Sequence, residues 1–239
     1  MFKKHAKTIN IKNYTSNRCK TFTNKIRNPL APVTPTNILI SGHTGCGKTN
    51  LLLNLIYDLL YWDNLYVYAK DLEEPLYRNL MESCKEADSI SEFDYEFKND
   101  LTDASSIDEM DRDLHNLIIF DDFCTDAASM NKIKEYFIRG RKKNCTCIFI
   151  SQDYYSVPKI IRLQCSYFCL FKCRDDRELL EIYKTHNCGL TKEAFKKVFR
   201  EATLQKYNFL LIDKTHSACD KKSLRKNLDF LFHFNKICI

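Results

Sequence analysis

The chain is poor in backbone punctuation: 239 residues contain only five glycines and five prolines. It also has no apolar run approaching the roughly 20 residues needed to span a bilayer, which argues against a transmembrane helix. The first residues lack the apolar stretch of a secretory signal and hold only short apolar pieces among Lys, Asn and Thr. No internal repeat or low-complexity tract is evident. Twelve cysteines are present, yet none forms a C-x-x-C pair, so the spacing of a zinc site is missing. Cys145 and Cys147, then Cys165, Cys169 and Cys173, recur at even spacing on or beside predicted strands. That spacing puts each group on one strand face, where cysteine behaves as a small hydrophobe. Reduced, mostly buried thiols in a reducing intracellular compartment are therefore expected.

Because glycine is scarce, its clustering is informative: three of the five stand in Gly42-His43-Thr44-Gly45-Cys46-Gly47-Lys48-Thr49. The octet fits G-x-x-x-x-G-K-[ST], the phosphate-binding P-loop. Asn37 to Ser41 before it reads as a buried strand, and Asn50 to Tyr61 after it repeats Leu and Ile at helical spacing. Strand, glycine-rich loop and helix together are the context that the motif requires. Glycines let the backbone N–H groups turn toward an anion, and the helix N-terminus adds its dipole. Lys48 is expected on the β- and γ-phosphates of ATP, and the Thr49 hydroxyl on Mg²⁺. Cys46, inside the loop, is expected to be open to oxidants in the empty protein.

Charge is unevenly spread. The formal net charge is +6, and residues 1–28 hold eight Lys or Arg with no Asp or Glu. The remainder, with 29 basic and 31 acidic residues, carries −2. The basicity thus sits in an arm suited to nucleic acid or another acidic surface, or in a merely solvated tail. Pro29, Pro32 and Pro35 favour an extended approach. They set a boundary between residues 1–36, a basic arm with a proline-containing linker, and residues 37–239, a single α/β domain.

Further along, Leu65–Ala69 reads as a strand and Glu74–Glu86 as a helix with Pro75 in its first turn. Residues 71–113 carry fifteen Asp or Glu against four Lys or Arg. This stretch reads as solvated and partly looped, with a strand at Phe93–Phe97 and nothing that points to a site. Leu117-Ile118-Ile119-Phe120 running into Asp121-Asp122 describes a buried parallel strand ending at a sheet edge. As a Walker B element it places Asp121 on Mg²⁺ and Asp122 on the water that attacks the γ-phosphate. A helix at 129–138, a strand at 146–151 ending in Gln152, and a strand at 167–171 follow. Helices at 175–184 and 191–201, a strand at 209–213 and a short helix at 223–232 complete the pattern. Strands alternating with helices imply a mostly parallel sheet with helices on both faces. Residues 137–174 reverse the earlier charge, with eight basic residues and one acidic. Within them Tyr154, Tyr155, Pro158, Lys159 and Arg162 mix aromatic and basic character, as a DNA-gripping loop does.

The P-loop at 42–49, Asp121-Asp122 and Tyr136-Phe137-Ile138-Arg139-Gly140-Arg141 resemble the FtsK–HerA superfamily of ring-forming P-loop ATPases. Phe149–Tyr154 followed by Val157–Arg162 is similar to the genome-packaging ATPases of poxviruses, other large nucleocytoplasmic DNA viruses, virophages and Maverick/Polinton elements. Phe171-Lys172, Ile182-Tyr183, His186 and Tyr207–Lys214 resemble the Maverick-type members, and the likeness covers about residues 37–232. The resemblance implies a RecA/FtsK–HerA-like fold. It makes Gln152 a sensor of the γ-phosphate and one of Arg139 and Arg141, preferably Arg139, an arginine finger for a neighbouring subunit. In two places the chain departs from the family's pattern: Gln164 stands where an asparagine is expected, and the second Walker B acid is the shorter Asp122 where many ring ATPases use Glu.

The resulting expectation is a homo-oligomeric ATPase that translocates double-stranded DNA into a preformed capsid with ATP and Mg²⁺ as cofactors. Capsid proteins would be partners, and the host cytoplasm or a viral factory the place. A P-loop nucleoside or nucleotide kinase is one alternative, separable by γ-phosphate transfer to a small acceptor. A nucleotide-switched DNA clamp with little turnover is the other, separable by DNA binding that survives Asp122→Asn.

Overall fold

A computed structural model of the chain describes residues 2–4, 29–89, 93–125, 127–218 and 220–232. Most of the expected basic arm lies outside these residues. Ten strands form one sheet in the order β1-β10-β9-β8-β7-β2-β6-β5-β3-β4. In chain order they are β1 Phe2–Lys4, β2 Asn37–Ser41, β3 Asn64–Ala69, β4 Tyr95–Lys98, β5 Asn116–Asp121, β6 Cys145–Ser151, β7 Tyr167–Leu170, β8 Leu210–Asp213, β9 Leu224–Lys226 and β10 Phe230–Phe232. Six neighbours, β7-β2-β6-β5-β3-β4, run parallel; β8, β9, β10 and β1 extend the sheet antiparallel.

The central strands β2, β3 and β6 are buried along their whole length and apolar in their middles, because both of their faces are covered. Alternate residues serve two cores. Leu39, Ile118, Phe120, Phe149 and Phe168 face one side, which α3 (Ala127–Arg139), α4 (Lys159–Gln164), α5 (Asp176–His186) and α6 (Lys192–Ala202) cover. Ile38, Ile40, Val67, Ile119 and Ile148 face the other, under α1 (Lys48–Asn54) and α2 (Pro75–Asp88). Beyond Asn54 the first helix widens into a π-helical turn, Leu55–Leu59, closed by Leu60 N–H to Leu55 O at 2.8 Å.

Strand register aligns the functional ends. Ser41 pairs with Ser151 and Leu170, Asp121 with Ile150, and Ala69 with Asp121. Every loop that leaves these strands therefore starts at one carboxyl edge, where open α/β sheets bind ligands.

Four expectations need correction. Residues 223–232 form the β9–β10 hairpin, not a helix. The reason is long-range: Arg225 is buried, donates to Asp213 Oδ2 at 2.9 Å and to the carbonyls of Leu30 and Leu228, and Asn227 turns the chain at φ 53°. The proline segment is not free of the domain: Leu30, Ala31 and Thr36 are buried, and Val33 N–H donates to the Tyr167 hydroxyl at 3.0 Å. Cys145 and Cys147 do share one core, but Cys165 and Cys169 face opposite cores, since Cys165 ends α4 before β7 begins. Cys46 is buried, not exposed, and burial pushes its thiol pKa up. That thiol is correspondingly a poor nucleophile.

Candidate nucleotide site

The P-loop curls at the end of β2 because two glycines meet geometry that a side chain cannot. A Cβ on Gly42 would lie 2.5 Å from Phe171 Cβ, and Gly47 sits at φ 103° directly before α1. Gly42 N–H donates to Ser151 O at 3.1 Å, which ties the loop to the end of β6. His43, Thr44 and Gly45 form the exposed tip and Cys46 tucks beneath it. Lys48 Nζ donates to Gly42 O at 2.7 Å and His43 O at 3.2 Å. The ammonium is thus held over the loop, where a phosphate oxygen would take it from the carbonyls.

Asp121 and Asp122 end β5 across the same cleft. Asp122 adopts φ 62°, a left-handed turn that aspartate accepts more readily than most residues. Its Oδ2 accepts from Gln152 Nε2 at 3.1 Å. The two residues expected to handle the attacking water and the γ-phosphate are therefore already in contact. Desolvation raises the Asp121 carboxyl to a pKa of about 6, with Lys48 and a Tyr77 hydrogen bond opposing the rise and Asp122 and Glu74 adding to it.

The stretch in which no site was expected contributes directly. The Tyr77 hydroxyl donates to Asp121 Oδ2 at 2.6 Å, and the Thr49 hydroxyl donates to Glu74 Oε2 at 3.4 Å. Both residues open α2, so the start of this helix closes one wall of the cleft. Nothing local marked them: Glu74 is one acid among fifteen in residues 71–113, and it reaches Thr49 only through the strand order β2-β6-β5-β3. The resulting cleft, about 950 Å³, is large enough for a nucleoside triphosphate. Thr49 and Asp121, with Glu74 close by, offer only hard oxygen donors, which suits Mg²⁺ bound alongside phosphates.

Arg139 and Arg141 are not brought to this cleft. They lie where α3 leads into β6, at the amino edge of the sheet, the full length of β6 away from Gln152. Arg139 pairs with Asp108, which Lys143 also approaches at 3.2 Å. Arg141 is exposed and makes no hydrogen bond or ion pair among the described residues. The expected DNA-gripping loop is divided between core and surface. Tyr154 is fully buried with its hydroxyl 2.8 Å from His186 Nε2, and Arg162 lies over the Tyr154 ring at 4.6 Å. Tyr155 and Lys159 remain on the surface.

A parallel sheet carrying a P-loop, a Walker B pair and a glutamine at the adjacent strand end defines a P-loop NTPase. The sequence model of the family described as Poxvirus A32 protein matches residues 26–230, and the chain belongs to that family. DNA packaging protein OPG160 of Variola virus is 25% identical over 143 residues, covering 57% of this chain and 53% of the relative. The Vaccinia virus (strain Copenhagen) protein of the same name gives the same figures. The chain thus spans about half the length of the curated relatives it matches. Among solved structures, the genome packaging NTPase B204 from Sulfolobus turreted icosahedral virus 2 in complex with AMPPCP superposes with a TM-score of 0.53 at 17% identity, covering 80% of this chain and 96% of that one. Its complex with sulfate gives 0.55 at 17% identity, covering 84% and 100%. At that identity the likeness establishes the fold.

Proposed function

We propose that this protein is an oligomeric ATPase that drives double-stranded DNA into a preformed viral capsid. The observation that carries the ATPase reading is one cleft holding Lys48 on the P-loop, Asp121 on Thr49's side and the hydrogen-bonded Asp122–Gln152 pair. Lys48 and the loop amides bind the triphosphate. Thr49 and Asp121 would hold Mg²⁺, which neutralises charge on the β- and γ-phosphate oxygens. Asp122 orients and deprotonates the attacking water, and Gln152, donating to Asp122 until a γ-phosphate is present, reports its arrival to β6. Family membership and the packaging names of the relatives support DNA as the moved polymer.

The cleft's own cations are Lys48 and Lys70, so a transition-state arginine must come from elsewhere. A second copy supplies it from the α3–β6 junction. Arg141, which no carboxylate among the described residues engages, is better prepared than Arg139, which would first have to leave Asp108. Such a finger contributes roughly 10³–10⁵ in rate in other NTPases. Hydrolysis would then depend on assembly into a ring. The exposed Arg141, Lys142, Tyr155 and Lys159 supply basic and aromatic surface for duplex phosphates. Six of the nine described cysteines are buried as small hydrophobes, which fits a reducing intracellular compartment such as the host cytoplasm or a viral factory.

The test is ATP turnover with and without long duplex DNA at several protein concentrations. Stimulation by DNA, with a per-subunit rate that rises with concentration, is the expected result. Full, DNA-independent activity from a monomer would refute it, and phosphate transfer to a nucleoside would replace it with a kinase.

A further inference from the structure

The phosphate half of the cleft is accounted for by the loop, but the same cleft continues to an aromatic wall that the motifs do not explain. Phe171, just past the end of β7, and Phe209, just before β8, are buried with ring centroids 5.2 Å apart. Tyr207 stands in front of them in the α6–β8 loop and lines the cleft with 59% of its surface exposed. Its ring edge closes on the P-loop, with Cδ1 3.2 Å from where a Cβ on Gly47 would be. A large tyrosine left this open beside a triphosphate site buries little of its own and contributes little to the core.

The backbone adds a second, independent sign. Tyr207 is held at φ 70°, a strained conformation that bulky residues rarely adopt. A turn closed by Asn208 N–H to Gln205 O at 3.2 Å carries it, and the hairpin fastens the residues that follow: Asn227 donates to Asn208 Oδ1 at 3.0 Å, accepts from Phe209 N–H at 3.2 Å, and donates its own N–H to Phe209 O at 2.9 Å. The β9–β10 hairpin therefore props an exposed aromatic ring against the rim of the phosphate site.

We propose that Tyr207 is the nucleobase platform of this site, stacking a purine whose triphosphate lies on the P-loop. The inference rests on the nucleotide reading above and specifies its base half. Stacking uses the flat face that every purine has. The aromatic wall of Phe171, Tyr207 and Phe209 has only the tyrosine hydroxyl as a polar group, so it distinguishes base from no base better than adenine from guanine. Lys206 Nζ lies 4.7 Å from the ring centroid, a cation–π contact that helps to hold the ring in place and leaves one face for the base.

The experiment is a calorimetric titration of the full chain, with Mg²⁺ present, using ATP, GTP and inorganic tripolyphosphate. Tyr207→Ala is expected to weaken ATP and GTP alike by roughly tenfold, as loss of a base–aromatic stack does, and to leave tripolyphosphate unchanged. Tyr207→Phe keeps the ring and should match the parent. Tyr207→Gly guards against misfolding, because glycine accepts φ 70° without strain. Its melting temperature should equal or exceed that of the parent while its ATP affinity falls. The proposal is overturned if either truncated variant binds ATP within twofold of the parent, or if tripolyphosphate weakens as much as ATP. A parent that binds neither ATP nor tripolyphosphate would overturn the nucleotide reading itself. A parent that binds both, with unaltered Tyr207 variants, removes the stacking inference alone.

Discussion

The Tyr77 hydroxyl donates a 2.6 Å hydrogen bond to Asp121 Oδ2, across the gap between the start of α2 and the end of β5. Asp121 is desolvated enough to titrate at about 6, against 3.8 for a free carboxyl, and Tyr77 is one of the groups restraining that rise. A carboxyl whose folded pKa is raised favours the fold when protonated, and this contribution is lost as pH climbs through about 6. Asp121→Asn should therefore stabilise the metal-free protein at pH 7, by about 1–3 kcal/mol in urea unfolding, while abolishing turnover. Tyr77→Phe should move the acid limb of Mg-ATP binding to higher pH, read from titrations between pH 5 and 8. An unmoved limb would show that Asp121 does not control binding.

His186 works in the opposite direction. Burial, with Lys214 and Arg162 near it, lowers its pKa from 6.5 to about 3. A histidine kept neutral in the fold gains protons on unfolding, so stability falls as pH drops below about 6.5, by up to about 1.4 kcal/mol per pH unit. His186→Asn should flatten the stability profile between pH 6.5 and 4. An unchanged slope would place the acid sensitivity elsewhere.

Arg225 and Asp213 form a buried ion pair that also fastens the carbonyl of Leu30. Asp213→Ala would strand a buried guanidinium and should cost about 3–5 kcal/mol in denaturant unfolding. The double change Arg225→Met with Asp213→Leu should recover most of the loss. If the double variant is as unstable as the single one, packing and not charge is the cause.

Arg141 and Asp122 lie at opposite edges of one sheet, so the proposed arginine finger requires a second copy. Arg141→Ala subunits and Asp122→Asn subunits should each be inactive, by about 10³-fold or more for the arginine. Mixed together, they should regain a measurable fraction of parental turnover. Arg139→Ala in place of Arg141→Ala is expected to have the smaller effect. Mixtures that stay inactive would remove the shared-site arrangement.

The elements that were legible from sequence were those whose signal is local. The P-loop, the Leu117–Asp122 strand and Gln152 at the end of its own strand are each encoded by contiguous residues. The parallel core follows from apolar runs that only a sheet covered on both faces can use. Ser223–Phe232 misled because its apolar spacing fits a helix, and the decisive partner of Arg225 lies twelve residues back on β8. In the Tyr154–Arg162 segment, too, distant packing decides which residues face outward. Its aromatic and basic residues suit a DNA surface, but packing against α5 turns Tyr154 and Arg162 inward.

By itself, then, the sequence determined that a phosphate-binding loop stands between a strand and a helix and which strand ends adjoin it, because glycine geometry and strand–loop–helix order are properties of neighbouring residues. Only the tertiary structure decided what surrounds that loop. Glu74 and Tyr77 reach Thr49 and Asp121 because the strands run in the order β2-β6-β5-β3, Tyr207 stands beside Gly47 because the β9–β10 hairpin holds its loop, and Arg141 is carried to the far edge by the length of β6. Each of these depends on contacts between residues distant in the chain, which no local pattern records.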